Sequence, residues 1–106
     1  MSDIGQAQKA LVKRLLEGAG KASSSERRAA FNNRGLSGPP GALVDKVARH
    51  AYWVTEEDIT AARVLGLSED QVFEIVVCAA VGQATRQYAA ALAALEAAAE
   101  NPIEKV

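Results

Sequence analysis

The sequence predicts an all-α protein, a compact bundle of about five helices forming one domain over residues 1–106. Three observations carry that reading. The longest apolar run, Val72–Val81, is broken only by Glu74 and sits behind a helix-start signal, Ser68 with Gln71 three residues on. The run continues as the alanine-rich segment QYAAALAALEAAAE, whose residues favour helix over strand. Upstream, apolar residues recur at helical spacing between stretches rich in glycine, proline and serine, and nowhere do they alternate as in a half-buried strand.

Residues 4–16 place Ile4, Ala7, Leu11, Val12, Leu15 and Leu16 on one side, with Gln8, Lys9, Lys13 and Arg14 elsewhere, which predicts an amphipathic helix. Gly18 and Gly20 end it. The following GAGKAS lacks the glycine at Leu15 and the hydroxyl at Ala22 that a phosphate-binding loop needs, so it reads as a connector. Ser25 and Glu26 open a short helix to about Phe31 that would bury Ala29, Ala30 and Phe31. Asn32–Gly41, with its glycines and two prolines, excludes regular structure. A helix resumes with Leu43, Val44, Val47, Ala48, Ala51, Tyr52 and Val54, and carries His50 and Trp53. Thr55 with Asp58 starts another, Glu56 to Leu65, with Ile59, Ala62 and Leu65 as its buried stripe and Gly66 as its stop. The central helix, near residues 69–98, has no polar face along its apolar run, so all its sides should meet protein. Its small residues, Ala79, Ala80, Gly82, Ala84 and the later alanines, would admit a close neighbour, with Gly82 giving up about 1 kcal/mol of helix propensity in exchange. The tail Asn101–Val106, with Pro102, should fray.

Apolar residues make up 49% of the chain but aromatics only 5%, so the core must come from close helix packing or be completed by another copy. A homo-oligomer is the expectation. Residues 1–35 hold seven Lys/Arg against three Asp/Glu, and residues 36–106 five against ten, charges of +4 and −5 that could pin the two parts together. That balance is too weak for a nucleic-acid footprint, and no apolar run reaches membrane-spanning length. One cysteine and a start without an apolar signal region fit a reducing, cytoplasmic setting.

The turn Gly66-Leu67-Ser68, the acidic capping turn after it, Val72-Phe73-Glu74, Ala79-Ala80 and Arg86, together with VARHAYWVTEEDITAARVLGLS before them, resemble the carboxymuconolactone decarboxylase and alkylhydroperoxidase D-like family. The likeness spans Leu43 to Leu95, half the chain, within a family-like helical core at 41–98 behind N-terminal helices at 1–35. It implies a small all-helical homo-oligomer. The family's peroxidase branch carries a Cys-x-x-Cys-x-x-x-His motif whose residues would fall on Ala51, Val54 and Asp58, so the resemblance argues against thiol peroxidase chemistry of that kind.

The remaining candidate chemistry is Glu74 and Cys78, one helical turn apart, with His50 brought over from the preceding helix. Cys78 in IVVCAAV reads either as a nucleophile beside a base or as a small buried hydrophobe. Glu74 must be paired or protonated, with Lys46, Arg49 or Arg86 as partner, or else serve as a general acid or base. His50, Tyr52 and Trp53 could line a site for an aromatic ligand, and Arg86 could hold an acidic one. A lone histidine without a cysteine pair makes no metal site, and nothing calls for a cofactor. Two functions stay open: a non-catalytic oligomeric binding or assembly module, and a non-redox enzyme of the decarboxylase type using His50 and Glu74, or a single-cysteine peroxidase through Cys78.

Overall fold

The computed structural model describes residues 2–100; Met1, the side chains of Ser2, Asp3 and Ile4, and the tail 101–106, expected to fray, lie outside the described residues. Five α-helices follow one another, with no strand among the described residues: α1 (Ser2–Glu17), α2 (Ser24–Asn32), α3 (Gly38–His50), α4 (Glu56–Val64) and α5 (Glu69–Glu100).

Local chemistry explains most of the boundaries. Ser68 accepts the Gln71 N–H at 3.1 Å while the Gln71 side chain accepts the Ser68 N–H at 2.7 Å, opening α5 as expected. Thr55 and Asp58 make the same reciprocal pair before α4. For α2 the cap is Ser23 with Glu26, two residues earlier than the expected start. Asn33, in the left-handed conformation at φ 52°, closes α2 as the Arg34 N–H reaches back to the Ala29 carbonyl at 2.9 Å. Gly66, at φ 103°, follows α4.

Two further boundaries depart from expectation. Gly38–Gly41 are helical, because Pro39 and Pro40 occupy the first turn of α3, where a missing N–H costs nothing and the fixed φ suits a helix. The same helix stops at His50; Ala51–Trp53 form one turn of 3-10 helix, so Val54 is not on α3.

The core gathers Leu16, Ala22, Ala30, Leu43, Val44, Val47, Ala62, Val72, Ile75, Cys78 and Ala79. The first half of α5 runs through it and packs chiefly on α2 and α3. Gly82 is what lets α2 close on α5: a β-carbon there would collide with the Phe31 carbonyl and lie 2.7 Å from its carbon. The small residues of α5 earn close contact at Ala79 and Gly82 only; Ala80, Ala84 and the later alanines are exposed.

Full wrapping of α5 does not occur within one chain. Phe73 is 68% exposed, and every residue from Arg86 to Glu100 is exposed. The radius of gyration is 16.7 Å, against about 13 Å for a compact domain of this length. On α4 the expected stripe keeps Ala62 buried and Ile59 half-buried, but Leu65 is out in solvent at the helix end. All four ion pairs among the described residues, Arg28–Glu17, Lys46–Asp58, Arg49–Asp45 and Arg63–Glu69, stay within one part of the chain, so none of them joins residues 1–35 to the remainder. No helix among the described residues is long and apolar enough to cross a membrane.

Candidate functional site

The first half of α5 presents Phe73, Glu74, Val77 and Cys78 toward α1 and α2, and a cleft of about 230 Å3 lies between the three helices. Its floor is the buried pair Arg27 and Cys78; Leu15, Glu74 and Val77 form half-buried walls; Leu11, Arg14, Ala19 and Phe73 make an exposed rim.

Glu74 finds its partners where the sequence did not point. Its carboxylate accepts the Lys21 N–H at 2.9 and 3.0 Å and the Ala22 N–H at 2.8 Å, all in the connector between α1 and α2. Lys46, Arg49 and Arg86 are engaged elsewhere: Lys46 with Asp58 at 2.9 Å, Arg49 with Asp45 at 2.8 Å, and Arg86 with the Phe31 carbonyl at 2.6 Å and Gln83 at 3.0 Å. The glycine-rich connector thus cradles an anion after all, and the anion is a side chain of the same protein. Gly20 makes room, since a β-carbon there would meet Glu74 Oε1 at 2.8 Å. Burial pushes the Glu74 carboxyl up, but the two N–H groups with the charges of Arg27 and Lys21 pull harder, leaving it below its ordinary value. A carboxylate held ionised in this way is a poor proton donor near neutrality.

Cys78 has no exposed surface. Burial pushes its thiol up; the Arg27 charge opposes that and the Glu74 charge reinforces it. A raised thiol is a protonated one, the reverse of what a nucleophile needs.

Arg27 was invisible in the sequence. Only 7% exposed, it donates from Nη1 to the Leu15 carbonyl at 3.0 Å and from Nε to the Ser23 carbonyl at 3.4 Å. A run of serines and charges, SSSERR, reads as solvated surface, and carbonyl acceptors leave no trace in side-chain pattern.

The other candidates lie apart from the cleft. His50 stacks on Trp53 with ring centroids 3.9 Å apart and an angle of 20°, and Tyr52 meets the Trp53 edge at 5.6 Å. Tyr52 is 79% and Trp53 52% exposed, so the trio is an aromatic knob at the end of α3 and lines no part of the cleft holding Glu74 and Cys78. Arg86 lies across α5, beside Arg28, Asn32 and Arg34. Among the described residues no three potential metal-binding side chains come together. No family model, no curated protein and no solved structure matches this chain.

Proposed function

We propose that this protein is a non-catalytic binding or assembly module that works as a homo-oligomer, of the kind the resemblance to alkylhydroperoxidase D-like proteins without the redox cysteine pair implies. One observation carries the reading: residues 86–100 of α5 project about 22 Å beyond the core with every residue exposed, Tyr88, Leu92 and Leu95 among them. A helix of that length is marginal in water without a packed face.

A second copy is the occupant that the pattern supports. Val81, Tyr88 and Leu95 recur every seven residues, and Ala84, Ala91 and Ala98 fall between them. Laid antiparallel on its own duplicate, that seam sets Val81 against Ala98, Tyr88 against Ala91 and Leu95 against Ala84, a large side chain facing a small one in each layer. The seam also runs into a groove between α1 and α5 where Ala7, Leu11, Val12, Val81, Ala84 and Tyr88 are joined by Gln8 and Thr85, which lengthens the mainly apolar strip that a partner would cover.

The test is mass in solution. Sedimentation at micromolar concentration should give a dimer or larger assembly, and Leu95→Glu should shift it to the monomer with helicity of the core retained. A monomeric parent protein would end the assembly reading.

A further inference from the structure

We infer that the cleft between α1, α2 and α5 is a binding site for a small organic monoanion with an apolar body, held by Arg27. Arg27, a residue more than nine-tenths buried, forms no ion pair among the described residues. Two of its nitrogens donate to the carbonyls of Leu15 and Ser23, and Nη2 meets no acceptor among the described residues. No buried side-chain nitrogen or oxygen lacks a partner among the described residues, so Nη2 is not sealed off in the core; the space that Arg27 borders is the cleft. A cation in such a place is costly unless something compensates it.

The charges around the cleft do not cancel. Arg14 and Arg27 line it against Glu74 alone, and the Glu74 oxygens are already committed to the Lys21 and Ala22 N–H groups. One positive charge is left over. A carboxylate on the ligand would supply the missing acceptor and the missing charge together, a charge-assisted contact stronger than the carbonyl bonds Arg27 now makes. The rest of the lining is Leu11, Leu15, Ala19, Phe73, Val77 and Cys78, which suits a ring or short alkyl body and offers it no hydrogen bonds. At about 230 Å3 the cleft is smaller than the roughly 300–1,000 Å3 of drug-sized sites, so the ligand is a small acid of benzoate size. Such a site is distinct from the Arg86 surface, where the guanidinium is spent on the Phe31 carbonyl and Gln83.

Titration of the full-length 15N-labelled protein with benzoate, and separately with benzamide, tests this. Benzoate should shift the amides of Leu11, Leu15, Arg27, Val77 and Cys78 saturably in the millimolar range, and benzamide, equal in shape and uncharged, should bind roughly tenfold more weakly. Val77→Phe fills the cleft from a half-buried wall while leaving the Arg27 side chain in the sequence; with the spectrum of the folded protein retained, it should abolish the benzoate shifts. The inference is overturned if benzoate gives no saturable shift, if benzamide binds equally well, if the shifts map to Arg34 and Arg86, or if folded Val77→Phe still binds.

Discussion

The Glu74 carboxylate accepts the backbone N–H of Ala22 at 2.8 Å, so the one acid in the apolar run of α5 fastens the connector that leads from α1 into α2. Through this contact the N-terminal helices are positioned on the remainder of the molecule, with no ion pair between the two parts among the described residues.

Replacing Glu74 with Gln should therefore loosen α1 and its connector. An amide oxygen can accept one of the N–H groups, but its charge is gone and its nitrogen faces donors, so a loss of about 1–3 kcal/mol in chemical denaturation is expected. The native carboxyl titrates below its ordinary 4.5, so its contribution is complete above that value and disappears as pH falls through the lower native one. Measured against pH, the parent's advantage over Glu74→Gln should be flat near neutrality and shrink under acid. An advantage unchanged down to pH 2 would show that the charge is irrelevant.

Gly82→Ala makes a second prediction with a built-in control. Alanine gains about 1 kcal/mol of helix propensity over glycine at an ordinary helical site. At Gly82 the added methyl collides with the Phe31 carbonyl, and because both sides are backbone neither can swing away. A net loss of about 1–3 kcal/mol should result. Gly5→Ala, with nothing within 4 Å of its new methyl, should by contrast be neutral or stabilising.

Cys78 should resist a thiol reagent in the native protein and react once denaturant opens the core, since it has no exposed surface and a raised thiol. Cys78→Ser should cost about 1–3 kcal/mol by putting a more strongly solvated hydroxyl at a position with no exposed surface. Rapid labelling under native conditions would reinstate the nucleophile reading of this residue.

Thr55→Ala removes the hydroxyl that caps α4 and should cost about 1 kcal/mol. Asp58 keeps its bond to the Thr55 N–H at 2.9 Å and its pair with Lys46, so the loss should be local. Hydrogen exchange should quicken in the first turn of α4 and remain unchanged in α5.

Three helix boundaries were determined by the sequence itself: Ser68 with Gln71, Thr55 with Asp58, and Gly66 as a stop all act across one turn of backbone. Single cysteine usage and the close approach at Gly82 were likewise readable from residue type. What only the tertiary structure decided involves groups that carry no side-chain signature. The partners of Glu74 are two main-chain N–H groups more than fifty positions upstream, and those of Arg27 are main-chain carbonyls. Nor could an alanine-rich pattern say how much of α5 its own chain would cover, because exposed and wrapped alanines have the same helix propensity; the packing of α2 and α3 against its first half settled that.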